Sequence, residues 1–471
     1  MSSHFLDYWR AQSGTAAQNG IFIIEVNGLL AMWARSTSHL CSPPFRGASL
    51  SNMQSSLKAD RKNAPENLYK KSAQKELALL RIIHRNHDVS RVELVELTGF
   101  SAGLITAIVQ DLITKGLVTE LPGRASAAGR RPVALKVRHD AAYVIGVDLG
   151  SFYLRVVVTD MLGNTVHKLQ TETNLPDGRE KVLHKTFSAI HNAIQECGIP
   201  KKAIRGIGMG HSGIIDPATG IVLSFPRPGQ MTEWKNVPLR QLVEKEFGVP
   251  CVLEDSVRAI ALAERCFGVE RNLEDFVYID VGMGIGAGII LNGGLYRGSG
   301  GGAGEFGHMT VEENGPLCCC GNNGCLEMMA SCAAIIRAAR GAIEQGVDSK
   351  IRELVAGNLE HISIEAIAKA VQENDSLAFR VFDEAVSHIG VALADVVNLL
   401  NPGVVVFGGP LFRAAPHLVE PLKRVIKQRA LERSANQVQL RVSKLGSEAG
   451  ALGAARAVSE DVIEDLYREA L

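Results

Sequence analysis

Apolar positions first fall into a regular rhythm near residue 72. KELALLRIIHRN sets Leu77, Leu80, Ile83 and His84 at helical spacing. RVELVELTG reads as a second, shorter helix ending at Gly99. Ser101 is a natural N-cap for a third, AGLITAIVQDLITKG, closed by Gly116. In that third helix Leu104, Ile105, Ile108, Leu112 and Ile113 are expected to face a core. Ser101, Ala102, Thr106 and Gln110 are expected to face outward. Helix, short turn, helix is the geometry that carries a recognition helix into the DNA major groove. Two strand-like pieces follow, LVTEL and VALKVR, bracketing a Gly/Ala/Ser-rich hairpin with Arg124, Arg130 and Arg131. Residues 121–138 hold five basic residues and no acid. Such a hairpin suits phosphate or minor-groove contact, so residues 71–138 are predicted to be a winged helix-turn-helix.

From 143 the pattern turns to alternating strands and helices, and it repeats itself. VIGVDLGSFYLRVVVTDMLGNTV at 144–166 is echoed by FVYIDVGMGIGAGIILNGGLYRG at 276–298. Each has a strand ending in Asp-x-Gly, a turn, a second strand, and a glycine hairpin before a third. The echo predicts a duplicated α/β body over 139–471, two lobes with a cleft between them. Helical periodicity in EKVLHKTFSAIHNAIQEC and SIEAIAKAVQEND fits that alternation, and the closing GSEAGALGAARAVSEDVIEDLYREAL reads as a terminal helix packed on the body. Residues 1–70, rich in Ser, Pro, Asn and charge, read as a disordered N-terminal extension.

Composition narrows the class of protein. The 471 residues are 46% hydrophobic and 21% charged, with 50 acidic and 50 basic residues. Zero net charge exerts no global pull on nucleic acid, so DNA binding has to come from a local patch. No run of 18 apolar residues occurs, and Glu25 and Asn27 interrupt the best candidate, so no membrane partner is expected. Nine cysteines, four of them between 318 and 325, point to a metal site in a reducing, cytoplasmic setting.

The metal donors lie in GHMTVEENGPLCCCGNNGCLE. His308, Cys318, Cys320 and Cys325 form the ligand set of a closed, four-coordinate zinc site, structural because no position stays open. Gly321 and Gly324 permit the tight turns that this spacing needs. Cys319 makes the choice among three adjacent thiols ambiguous. Alternation favours Cys318 and Cys320, since neighbours in extended chain point opposite ways.

EFGH followed by C-x-C-G-x-x-G-C-L-E resembles the signature of the ROK family, named for repressors, open reading frames and kinases. The likeness runs over about residues 75–455. It implies a two-lobed actin-like, hexokinase-like ATPase fold, and in the repressor branch a winged helix-turn-helix ahead of it. It also implies that Asp255, Glu305, His308 and Glu327 contact sugar hydroxyls, and that Asp255 is the base if the body is a kinase. The glycines Gly282, Gly284, Gly286, Gly408 and Gly409 would be a nucleotide site or the vestige of one. Where ROK kinases carry Asp-x-Gly-Gly-Thr-Lys, this chain has DLGSFYL, with Phe152 and Tyr153 crowding a phosphate. Where the kinases flank the base with two Asn residues, it has Glu254 and Arg258, which puts a charge where a sugar-binding amide stood.

Together these observations predict a sugar-sensing transcriptional regulator, a repressor of carbohydrate uptake or catabolism genes. Its partners would be operator DNA, a sugar or sugar derivative, and a second copy of itself or a higher homo-oligomer. Its cofactor would be structural zinc, and enzymatic activity is not expected. One alternative is an ATP- and Mg-dependent sugar kinase with Asp255 as base. Another is a regulator controlled by a protein partner.

Overall fold

The computed structural model describes residues 21–26, 29–34, 66–86, 88–122, 133–225, 234–268 and 273–471. The chain divides into two units, Met1–Tyr69 and Lys70–Leu471. In the first, strands β1 (Ile21–Val26) and β2 (Leu29–Ala34) pair antiparallel, Ile21 opposite Ala34 and Val26 opposite Leu29. The rest of the expected extension up to residue 65 lies outside the described residues, as do Arg124, Arg130 and Arg131.

The second unit begins within helix α1 (Glu66–Arg85), followed by α2 (Arg91–Thr98) and α3 (Ala102–Thr114). Local chemistry sets their ends. Ser90 caps α2 in a reciprocal box: its hydroxyl accepts from the Glu93 amide at 3.2 Å, and its own amide donates to Glu93 Oε2 at 2.7 Å. Gly99 closes the helix in the left-handed region, φ 68°, which a side chain would strain. Ser101 then caps α3 by accepting from the Leu104 amide. The chain turns by 119° between α2 and α3. Strands β3 (Val118–Pro122) and β4 (Val133–Val137) pair antiparallel beyond them. Ile105, Ile108 and Leu112 are buried as expected, together with Val109; Leu104 and Ile113 are only partly covered.

The body holds two five-stranded sheets of one topology. In the first, β5 (Tyr143–Leu149), β6 (Tyr153–Asp160) and β7 (Thr165–Glu172) form an antiparallel meander. β8 (Ile204–His211) joins β5 in parallel. A short antiparallel pair, β9 (Ile214–Asp216) and β10 (Ile221–Ser224), branches off before β11 (Cys251–Asp255) completes the order β11-β8-β5-β6-β7. In the second sheet β12 (Phe276–Val281), β13 (Ile285–Leu291) and β14 (Gly294–Tyr296) repeat the meander. β15 (Val404–Gly408) and β16 (Gln439–Val442) repeat the parallel side, giving β14-β13-β12-β15-β16. The sequence echo therefore lands on matching strands of two lobes. Each central strand is nearly all apolar because both faces are covered.

Helix α4 (Arg179–Glu196) and helix α5 (Leu239–Phe247) pack on the first lobe. Helix α6 (Ser256–Phe267) follows β11 directly and lies against β13 of the second lobe. The C-terminal helix, Ala449–Glu469, crosses β5 and β8, and it comes so close that only glycine fits beneath it. A Cβ on Gly146 would stand 1.9 Å from the Ala451 carbonyl oxygen, and one on Gly208 1.8 Å from that of Ala454. Its far half, through Val458, Val462, Ile463, Leu466 and Tyr467, shares one apolar core with α1 and α3. Among the described residues no single helix is long and apolar enough to cross a membrane.

Candidate functional site: the cleft and the thiol loop

Strand ends of both lobes meet at a cavity of about 410 Å³. Asp255, Glu305, His308 and Glu327 line it, and so do Gly282, Gly284, Gly286, Gly408 and Gly409. All the residues expected to serve sugar or nucleotide thus reach one space. The candidate DNA contacts stand apart from it: Ser101, Ala102, Thr106 and Gln110 are exposed on α3.

Asp255 is the last residue of β11 and the N-cap of α6. Its Oδ1 accepts from the amides of Val257 at 2.9 Å and Arg258 at 3.0 Å, which fixes the carboxylate at the cavity wall. Burial pushes its pKa up to about 6, against the opposing pull of Arg258. Glu305 is exposed and its Oε2 lies 3.9 Å from His308 Nε2. Glu327 is committed differently: its Oε2 accepts from the Ile285 amide at 2.9 Å, holding the turn between β12 and β13.

Glu254 departs from the expectation of a charge in the sugar site. Its side chain is 1% exposed and absent from the cavity lining, and its Oε1 accepts from the Asp255 amide at 3.0 Å. Arg258 Nε donates to its Oε1 at 2.8 Å and Arg297 Nε to its Oε2 at 2.7 Å. Arg258 also donates to the carbonyl oxygen of Gly301 at 2.7 Å. The two residues standing where the kinases carry Asn are one buried ion pair, of which Arg258 alone lines the cavity.

The other half of the cavity holds the aspartates of the two echoed Asp-x-Gly turns, and with them Arg155, which pattern reading missed. Asp148, at the end of β5, accepts from Ser256 Oγ at 3.0 Å and pairs with Arg155 at 3.5 Å. Burial raises its pKa, and that of its counterpart Asp280 on β12, which accepts from Tyr278 Oη at 3.0 Å. Arg155 also lies over the Tyr153 ring, 5.1 Å from its centroid. Phe152 and Tyr153 themselves stand half-exposed at the rim, 53% and 42%. The echoed Asp-x-Gly marks Asp148 and Asp280 in the sequence; nothing local marks Arg155. The glycines have packing reasons of their own. A Cβ on Gly408 would meet Tyr278 Oη at 1.8 Å, and one on Gly286 would meet Val257 at 2.9 Å.

Beside the cavity, the donor atoms of His308, Cys318, Cys320 and Cys325 lie within 4.8 Å of one another. Two contacts bear on a metal: Cys318 Sγ to His308 Nδ1 and Cys320 Sγ to Cys325 Sγ, both 3.6 Å. A tetrahedral ion with bonds of about 2.0–2.3 Å needs donor separations of roughly 3.5–3.8 Å, which these two contacts meet, while the group as a whole spans up to 4.8 Å. Gly324, at φ 64°, lets the loop pass Glu312, whose carbonyl oxygen would be 1.6 Å from a Cβ there. His308 turns Nδ1 to the sulfurs and leaves Nε2 toward Glu305. Cys319 is exposed, lines the cavity, and lies outside this group.

A duplicated two-lobed α/β body with this His/Cys loop at its cleft is the architecture of sugar-kinase-like proteins. The match of residues 144–461 to the ROK family model places the chain in that family. The xylose repressor of Caldicellulosiruptor bescii is 32% identical over 387 residues, covering 82% of this chain and 96% of that protein. A solved ROK family transcriptional regulator, homologous to the E. coli MLC protein, superposes with a TM-score of 0.69 at 27% identity. It covers 84% of this chain and 99% of its own. A ROK family glucokinase from Streptomyces griseus, solved with glucose and AMPPNP, reaches 0.60 at 28% identity and covers 67% of this chain and 99% of its own.

Proposed function

We propose that this protein is a cytoplasmic DNA-binding repressor of carbohydrate uptake or catabolism genes, whose body senses a sugar or sugar derivative. The observation that carries this is the helix pair α2–α3, turned by 119° about Gly99, standing ahead of a sugar-kinase-like body. In this reading residues 71–138 are a winged helix-turn-helix. Helix α3 enters the major groove, and Arg124, Arg130 and Arg131, in the segment that joins β3 to β4, contact phosphates. The relatives support it: the repressor and the regulator span four-fifths of the chain, whereas the glucokinase spans two-thirds.

In the body, Asp255, Glu305 and His308 Nε2 would accept and donate hydrogen bonds to sugar hydroxyls, and Glu327 would hold the turn beside them. His308, Cys318, Cys320 and Cys325 would bind a structural zinc ion that ties the sugar-facing segment to its loop. Phosphoryl transfer is not part of the reading. Asp148 already has Arg155 and Ser256 as partners, and Phe152 and Tyr153 stand at the cavity rim where the kinases carry Thr and Lys. Two copies would bind a palindromic operator. Sugar would act by binding the two arrangements of the dimer with different affinity.

Gel-shift or anisotropy titration of the full chain against its own upstream DNA, with and without a panel of sugars, tests this. Specific binding released by one sugar is expected. Loss of no affinity on removing residues 1–138, or sugar-dependent ATP hydrolysis that vanishes in Asp255→Ala, would overturn it.

A further inference from the structure

The turn between β5 and β6 presents Phe152 and Tyr153 on a fixed frame. The Gly150 amide donates to the Tyr153 carbonyl at 3.1 Å, and the Thr173 amide to that of Phe152 at 2.8 Å. The buried Thr173 hydroxyl closes the same turn by donating to the Gly150 carbonyl at 2.8 Å. Arg155, beside the Tyr153 ring, is itself held by Asp148 and by Gln170 Oε1, the latter at 3.0 Å. The turn is thus braced, yet both aromatic residues remain half-exposed.

They are not alone in the cavity. Ile214 of β9 and Met283 of the turn between β12 and β13 line it too, 46% and 39% exposed. One exposed apolar residue needs no explanation, but four lining a single cavity form the kind of patch that marks a ligand groove. The cavity volume, about 410 Å³, falls in the range of roughly 300–1,000 Å³ that encloses drug-sized ligands. Asp255, Glu305 and His308 line another part of the same space. Ser256, next to Asp255, donates to Asp148 beside the aromatic turn, so the two parts are continuous.

A sugar ring is polar at its edge and apolar on the face where its C–H bonds point. An aromatic face carries partial negative charge and attracts such C–H groups, as it does the edge of another aromatic ring. Phosphate, by contrast, finds the threonine and the lysine of the kinases gone. Resting on the sugar-sensing reading above, we propose that the effector is a glycoside of two rings. One ring is a sugar held by Asp255, Glu305 and His308. The second ring, a sugar or an aromatic aglycone, stacks on Phe152 and Tyr153, with Ile214 and Met283 flanking it.

Calorimetric titration of the full-length protein tests this, with xylose, glucose and N-acetylglucosamine set against xylobiose, cellobiose, gentiobiose and phenyl glucoside. At least one two-ring compound should bind about tenfold tighter than its own monosaccharide. A gain confined to disaccharides identifies the second ring as a sugar; one confined to phenyl glucoside identifies an aromatic aglycone. In Phe152→Ala, and in the double change Phe152→Thr, Tyr153→Lys, that ratio should fall toward unity. Both positions are half-exposed, so the fold should survive, which thermal melts check. Equal affinity for one-ring and two-ring compounds, or a preference that persists in both variants, would overturn the inference while leaving sugar sensing intact. Failure of all these compounds to bind would remove the sugar-sensing reading itself, and this inference with it.

Discussion

Arg258 Nε donates to Glu254 Oε1 at 2.8 Å, one turn apart across the junction of β11 and α6, and the two residues are 3% and 1% exposed. A buried charge that loses its partner keeps its desolvation cost, so breaking such a pair from one side costs about 3–5 kcal/mol. Arg258→Ala should show that loss in urea denaturation. The double change Glu254→Asn, Arg258→Asn should be milder than the sum of the single ones, because both charges leave together. Arg297, which also donates to Glu254, keeps the double variant from being neutral. Additive single costs would mean that the pair is not a coupled unit.

That pair also marks where pattern reading stops. Short-range rules located α2 and α3, since Ser90, Gly99, Ser101 and Gly116 set their ends by local hydrogen bonds and backbone freedom. The duplicated strands were legible as an echo because each lobe rebuilds the same sheet from the same run of residues. Residue type alone gave Glu254 a charge in the sugar site; its orientation depends on Arg297, 43 residues away. Arg155 was invisible for the same reason, as its partner Asp148 is met only across the sheet. Val109 was missed in the core because its burial depends on how α3 packs against its neighbours.

The thiol loop separates adjacent cysteines by function. Cys320→Ser should release the metal and lower the melting temperature, whereas Cys319→Ser should keep one equivalent of zinc, since its thiol lies outside the four-donor group. Elemental analysis of both purified variants checks this. Zinc retained in the first, or lost in the second, would require a different ligand set.

Glu305 and Glu327 both line the cavity but should fail differently when truncated. Glu305→Ala is expected to abolish sugar-induced release while leaving affinity for operator without sugar nearly unchanged, because the exposed carboxylate supports only ligand. Glu327→Ala unpairs the Ile285 amide and should cost about 1–3 kcal/mol of stability besides. Anisotropy with and without sugar, alongside thermal melts, distinguishes the two.

Asp255 provides a pH signature. Its folded pKa, pushed up to about 6 by burial with Glu254 and Glu305 adding to the rise and Arg258 opposing it, lies above the ordinary carboxylate value of 3.8. Its ionised form therefore costs stability, a cost absent below the ordinary value and fully present once pH exceeds about 6. Sugar affinity should run the other way, rising with pH through about 6 as the carboxylate becomes a full acceptor. In Asp255→Asn that step should disappear from calorimetric titrations; a step that persists belongs to another group.

The last expectation concerns how a filled cleft reaches the DNA-binding helices. The C-terminal helix starts at the cavity, where a Cβ on Gly450 would lie 2.8 Å from the Asp148 carboxyl carbon. Two turns on, it meets α1 through a buried polar cluster. Arg456 Nη1 is 2.7 Å from His84 Nε2 and 2.8 Å from Ser459 Oγ, and Arg85 holds Glu460 with two hydrogen bonds. Further along, Tyr467 Oη donates to Glu76 at 2.9 Å. A rigid helix seated on glycines at one end and locked to α1 at the other would carry a shift at the cleft to α1. Arg456→Met keeps much of the buried volume and removes the directional contacts to His84 and Ser459. It should therefore leave sugar affinity within about twofold while reducing the sugar-induced change in operator affinity from the 5–150-fold typical of such coupling toward unity. Calorimetry for sugar and anisotropy for operator, measured on the same preparation, give both numbers. Full coupling retained in this variant would place the link between cleft and DNA elsewhere than the C-terminal helix.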